Sequence, residues 1–218
     1  MDKLKLETVT AVIVSDGNNP RILNQDFLER NDIVPAGWKE KQVIVTPPFS
    51  LVEYEGFSVQ MEENKLSITA KNVSSFAWDQ LLPKVAIRLL EVLPHVSYKA
   101  VGLNFSLYAE TIIGRDAENK LIEQLLTKGD WLNVHGGITG ALVELQFRKS
   151  FPHLNVKVGV RETISDKGRQ LGGYTVMANF HHDFESKNVN ERIAFISKVA
   201  EYEKEIHQLI NSLPMFKL

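Results

Sequence analysis

The segment ANFHHDFES holds the residues best suited to acid–base or metal chemistry, because His181, His182 and Asp183 follow a run typical of a β-strand. Side chains alternate along a strand, so His181 and Asp183 share one face and His182 points to the other. Adjacent histidines on a regular strand therefore do not bind one ion together. A metal site would need His181 and Asp183 plus a ligand from elsewhere, such as His135 or His153. The candidate catalytic residues are His181, Asp183 and His135.

The competing interpretation is that these residues form only the polar end of a strand, ahead of a helix opened by Asn188 and Glu191 in capping-box spacing. The chain has no His-x-x-x-His or Glu-x-x-His pair that would present two metal ligands on a helix. We therefore expect no metal and no cofactor. A metal-assisted hydrolase centred on His181 and Asp183 stays open as an alternative function.

Other catalytic motifs are missing from the sequence. The glycine-rich stretch NVHGGITGA, residues 133–141, lacks the lysine of a phosphate-binding loop and precedes a predicted strand, so we interpret it as a connection. RQLGGYT is interpreted as a turn or bulge that enters a strand. There is no Gly-x-Ser-x-Gly elbow and no cysteine nucleophile. These observations favour a non-enzymatic protein.

Composition narrows the classes of partner. The 218 residues carry a formal net charge of -2, which gives no overall basic field to attract nucleic acid or anionic lipid. No window approaches the roughly 18 apolar residues that span a bilayer. Since there is no cysteine, the sequence carries no disulfide framework. We expect a cytoplasmic protein without a membrane partner.

The elements that position these residues occur twice in the same order. Each half, about 7–94 and 97–213, is predicted to run β-α-β-β-β-α, with one long amphipathic helix at the end of the chain. Antiparallel strands with one apolar face need helices on that face only. The expected fold class is therefore α+β, a single domain of two halves with helices packed on one face of an antiparallel sheet.

Strand parity separates a buried face from a polar one. Phe147, Val158 and Val176 are expected in the core under the terminal helix. The opposite face carries a set of polar residues that we predict to be a binding surface: Arg148, Lys157, Arg161, Asn179 and His181. A sheet that reads nucleic acid usually adds aromatic residues for base stacking, and this face lacks them on those strands. A nucleic-acid partner is therefore the less favoured alternative.

The order of elements resembles the duplicated, saddle-like architecture of the TATA-binding protein and, more loosely, a helix-grip fold. Residues 22–38, ILNQDFLERNDIVPAGW, also resemble a segment of uncharacterised bacterial proteins. The first resemblance implies a fold, and the second implies no catalytic residue or cofactor.

The predicted function is binding or assembly with a protein partner, including a second copy of the chain, through the sheet face or its edges. The run QVIVTPPFSLVEYE, residues 42–55, is the predicted edge, since Pro47 and Pro48 would break or bend a strand there. A symmetric dimer is the expected outcome.

Overall fold

The fold is described from a computed structural model that defines residues 4–111, 114–147, 152–164, 170–184 and 189–216. Within these ranges, nine strands form one antiparallel sheet with the order β2-β3-β4-β5-β1-β6-β9-β8-β7. The strands are β1 (Lys5–Asp16), β2 (Gln42–Val45), β3 (Phe49–Tyr54), β4 (Phe57–Glu62), β5 (Lys65–Lys71), β6 (Ser97–Thr111), β7 (Val143–Phe147), β8 (His153–Ile164) and β9 (Gln170–Asp183).

Both halves of the chain begin with a strand and a helix, but four strands follow in the first half and three in the second. The predicted order β-α-β-β-β-α was therefore wrong for the first half, because the run interrupted by Pro47 and Pro48 forms two strands, β2 and β3. The first strands of the halves, β1 and β6, pair at the centre of the sheet. The last strand of each half lies next to its first strand, β5 beside β1 and β9 beside β6, and the middle strands lie further out. The predicted α+β class is confirmed.

Five helices accompany the described strands: α1 (Gln25–Arg30), α2 (Trp78–Val92), α3 (Gly114–Leu125), α4 (Val189–Ser197) and α5 (Val199–Ser212). The prediction of one long terminal helix was wrong, because the backbone of Lys198 leaves the helical conformation between α4 and α5. The predicted cap, Asn188, lies outside the described residues. Asn24 begins α1 by accepting a hydrogen bond from the backbone N–H of Phe27 at 2.9 Å.

One face of the sheet meets the helices in a single hydrophobic cluster. Val158 and Val176 are fully buried there, together with Ile196 and Ile206 of the last two helices. The predicted parity of β8 and β9 is therefore confirmed. Phe147 is only partly buried, because β7 is the last strand of the sheet and has a neighbour on one side.

The predicted edge run forms a hairpin of two strands, β2 and β3. Pro47 and Pro48 make the two-residue turn, and the backbone N–H of Thr46 donates to the carbonyl of Phe49 at 2.9 Å. The prolines thus break the run as predicted. β2 forms the edge of the sheet.

Candidate functional site: the open face of the sheet

The face of the sheet opposite the helices has a concavity of about 440 Å3 that spans five neighbouring strands. Six of its eleven lining residues are threonine, serine or asparagine from β1, β6, β9 and β8, and apolar surface lies between their polar groups. The residues that line it include Thr8, Thr10, Asn104, Ser106, Glu144, Asn155, Lys157, Met177 and Asn179. The curvature follows from the twist that neighbouring strands of a wide sheet impose on one another.

Hydrogen bonds between neighbouring strands order this polar wall. Asn104 and Asn179 lie opposite each other in the register of β6 and β9, and the Nδ2 of Asn179 donates to the Oδ1 of Asn104 at 2.7 Å. Thr10 and Thr69 share a hydroxyl hydrogen bond of 3.1 Å on the same face. Hydroxyl and carboxamide groups both donate and accept hydrogen bonds, so the wall can bind either a donor or an acceptor on a ligand.

Two apolar side chains stand out from the polar surroundings. Met177, in the middle of β9, is 46% exposed, and Leu142, just before β7, is 64% exposed. The backbone of Gly159 lies beneath Leu142, and a Cβ at Gly159 would sit 3.0 Å from the leucine Cδ1. The flexible thioether of Met177 and the exposed side chain of Leu142 offer apolar area that can adapt to different side chains of a partner.

Two cationic side chains of this face near the concavity, those of Lys157 and Arg161, are paired with carboxylates. The Nζ of Lys157 lies 3.4 Å from the Glu144 carboxylate across the β7–β8 pair. The guanidinium of Arg161 donates two hydrogen bonds to the carboxylate of Glu7, at 3.0 and 2.7 Å. Hydrogen bonding to Glu7 raises the pKa of Arg161. Both pairs reduce the positive charge available to an anionic ligand.

The Arg161–Glu7 pair joins β8 to β1 across β6 and β9. An irregularity in the register of β1 and β6 between Leu6 and Thr8 frees Glu7 from the regular alternation. The Arg161 guanidinium carbon lies 4.1 Å from the ring centroid of Tyr108 on β6 and reaches Glu7 beyond that ring. We call Glu7, Tyr108 and Arg161 the clasp.

The glycine pair of RQLGGYT makes room for the clasp. The sequence suggests a turn or bulge there, but Gly172 and Gly173 lie inside β9 in regular pairing with β6 and β8. A Cβ at Gly173 would sit 2.4 Å from the carbonyl oxygen of Ala109 and 2.7 Å from the ring of Tyr108. Only glycine leaves the space that the tyrosine ring occupies.

The histidines point apart, as strand parity predicts. His181 lies on the open face, and its Nε2 is 3.0 Å from the Oδ1 of Asp183. His182 lies on the helix side, 3.1 Å from Glu191, and stacks on Phe184 with ring centroids 4.6 Å apart. Consequently the two imidazoles do not face a common ligand.

The other candidate metal ligands are His135 and His153. His135 belongs to the 3₁₀ segment Asp130–Gly136 between α3 and β7, where it adopts a left-handed conformation with φ of 55°. His153 lies opposite His181 in the β8–β9 register. Throughout the described ranges, no three residues among histidine, cysteine, aspartate and glutamate come close enough to hold a metal ion.

The predicted binding residues fall into three groups. Lys157 and Asn179 line the concavity. Arg161 and His181 lie on the same face beyond its lining, and each contacts a carboxylate. Arg148 lies outside the described residues.

Sequence reasoning missed the residues that complete this face. Glu7 and Tyr108 were not predicted, because their relation to Arg161 depends on strand order. Met177 and the polar residues of β1 were also not among the predicted binding residues. The signal that could have found the clasp is the Gly172–Gly173 pair, since two glycines within a strand often mark a close approach.

No protein-family model matches the chain, and no curated protein or solved structure matches it. Among the described helices, none has the length and apolar character needed to cross a bilayer. Function is therefore inferred from the chemistry of the open face.

Proposed function

We propose that this protein is a non-enzymatic binding protein that holds an uncharged segment of a partner polypeptide in the concavity of its open sheet face. The observation that carries the proposal is the chemical character of that concavity. Six of its eleven lining residues carry a hydroxyl or carboxamide group, apolar surface lies between these groups, and its charged lining residues, Lys157 and Glu144, neutralise each other.

A polypeptide matches this wall because its backbone offers both donors and acceptors at nearly every residue. Thr8, Thr10 and Ser106 supply hydroxyl groups, and Asn155 and Asn179 supply carboxamides. The exposed parts of Met177 and Leu142 would contact apolar side chains of the partner. Apolar contact ringed by polar groups is the usual composition of protein interfaces.

A nucleic-acid ligand matches this face less well. Phosphate recognition depends on available lysine and arginine side chains, whereas Lys157 and Arg161 are each paired with a carboxylate. Base stacking needs an open aromatic face, and the Tyr108 ring is covered by the Arg161 guanidinium. Both features favour a neutral ligand.

A peptide library displayed on phage tests the proposal directly. We expect selection on the wild-type protein to enrich uncharged peptides that combine polar and apolar residues. Met177→Lys places an ammonium group in the middle of the concavity and should weaken the selected peptides at least about tenfold, since a buried unpaired charge is costly. The matched control is Val14→Lys, because Val14 is 37% exposed on the same face and does not line the concavity.

Three results would contradict the proposal. Selected peptides could bind wild type and Met177→Lys equally well, which would place them elsewhere on the protein. A single-stranded oligonucleotide could bind with affinity that falls steeply with salt, which would favour the nucleic-acid alternative. Chelation could lower the melting temperature of the protein, which would favour the metal-assisted alternative at His181 and Asp183.

A further inference from the structure

A second surface lies at the edge of the sheet formed by β2, separated from β1 by β3, β4 and β5. The residues from Gln42 to Thr46 carry no charge. Val43 and Val45 share the helix side of the sheet, because they lie opposite the buried Val52 and Ser50. Even so, Val43 is 41% exposed and Val45 is 45% exposed. An uncharged edge strand with exposed apolar side chains is a template for another strand.

The backbone groups that this edge offers can be identified from the hairpin. Thr46 donates its N–H to Phe49 of β3. Backbone groups alternate in direction along a strand, so Ile44 and Gln42 also face β3, and the groups of Val43 and Val45 face outward. At the other end, Lys41 donates its N–H to Glu53 and is thereby used within the hairpin. The outward groups of β2 are therefore those of two residues.

We propose that β2 pairs antiparallel with β2 of a second copy of this chain, with Val43 opposite Val45 of the partner subunit. A two-fold axis then passes beside Ile44. Each valine pair can exchange two backbone hydrogen bonds, as in any hydrogen-bonded antiparallel pair. The four exposed valines form one apolar patch on the helix side, and Ile44 meets its counterpart on the open face.

Other antiparallel registers of the two β2 strands would leave fewer outward backbone groups hydrogen-bonded. A shift that sets Val45 against its own counterpart brings Val43 opposite Pro47 of the partner subunit, and proline has no N–H to donate. A shift that sets Val43 against its own counterpart brings Val45 opposite Lys41, whose N–H is already bound to Glu53. The proline turn and the Lys41 bond thus select one register. Because that register is two-fold symmetric, its product is a closed dimer.

Charge pairs can test this register. Val43→Lys and Val45→Glu, made singly, should each weaken the dimer about tenfold, because each puts charged groups against valines at the axis. Combined in one chain, they should restore dimerisation, because each lysine then faces a glutamate of the partner subunit. The restored association should weaken with added salt. Both positions are exposed in the monomer, so unchanged circular dichroism and melting temperature would confirm that the variants fold.

Sedimentation velocity of the wild type and the three variants provides the measurement. The protein concentration should range from roughly 10 to 500 µM, since an interface formed by two short strands is expected to be weak. The expected wild-type result is a concentration-dependent shift from 24.7 kDa toward twice that mass. A constant mass of 24.7 kDa would overturn the proposal, as would a dimer that the single variants leave unchanged or that the double variant does not restore. Peptide binding in the concavity is measured separately with Met177→Lys, so each proposal can fail without the other.

Discussion

Arg161 on β8 and Glu7 on β1 form a bidentate ion pair, although two other strands lie between β8 and β1. The arginine crosses the ring of Tyr108, and Gly173 leaves space for that ring. This ion pair links β1, in the first half of the chain, to β8, in the second half, on the open face of the sheet. The concavity beside this ion pair is likewise formed by residues that are far apart in the sequence.

Arg161→Lys is expected to lower the free energy of unfolding by about 0.5–1 kcal/mol. Lysine keeps the charge, but it loses the second hydrogen bond to Glu7 and the planar stacking on Tyr108. The expected loss of stability is small because about a third or more of the Arg161 and Glu7 side chains is exposed, so solvent screens the ion pair. Urea denaturation measures it. Arg30→Lys is the control, because the exposed Arg30–Asp26 pair lies within a single helix and should matter less.

Gly173→Ala is expected to destabilise the protein by about 1–3 kcal/mol, because the new Cβ collides with the Ala109 carbonyl and the Tyr108 ring. Backbone cannot move aside as a flexible side chain can. Gly159→Ala is the matched control, since its Cβ would meet chiefly the exposed side chain of Leu142. Equal melting temperatures for the two variants would contradict the close approach at Gly173.

Phe180→Ala is expected to cost about 3–5 kcal/mol, because Phe180 is fully buried between Phe105 and Tyr202. Phe147→Ala should cost clearly less, since the side chain of Phe147 is only partly buried on the last strand. The comparison is made by urea denaturation of both variants. A larger loss at Phe147 would show that β7 is covered on its outer side.

Burial raises the pKa of Glu203 on α5, and the negative charge of Asp79 adds to this effect, while His207 and Lys204 oppose it. A carboxylate whose folded-state pKa is raised ionises less readily in the folded protein than in the unfolded chain. The free energy of unfolding therefore falls as pH rises from the unfolded pKa through the folded pKa.

Glu203→Gln should consequently raise the melting temperature at pH 7 relative to the wild type. The difference should disappear as the pH is lowered below about 4.3, where the glutamate is protonated in both states. Glu123→Gln, an exposed change on α3, controls for loss of a negative charge. A stabilisation by Glu203→Gln that persists unchanged at low pH would contradict the assignment.

Local pattern was sufficient to predict much of the fold. The alternation of Tyr174, Val176, Ala178 and Phe180 placed one face of β9 in the core, because side-chain direction in a strand depends only on sequence parity. The same parity separated His181 from His182. Pro47 and Pro48 marked the break at the edge because proline cannot donate a ladder hydrogen bond.

The clasp and the concavity could not be predicted in this way. Glu7 and Arg161 are 154 residues apart, and their meeting depends on the strand order and on an irregularity in β1. The break between α4 and α5 falls at Lys198, where neither glycine nor proline signals it. The curvature that forms the concavity is a property of five strands together, so it has no local signature.

Methyl NMR of the protein labelled at its methionine methyl groups shows directly whether a peptide binds at the open face of the sheet. The sequence has four methionines, and Met61 and Met215 are buried, whereas Met177 is 46% exposed in the concavity. On titration with a selected peptide, we expect the Met177 signal to shift in a saturable way while the Met61 and Met215 signals stay in place. A bound peptide that leaves the Met177 signal unchanged would contradict the claim that the open face of the sheet is the binding surface.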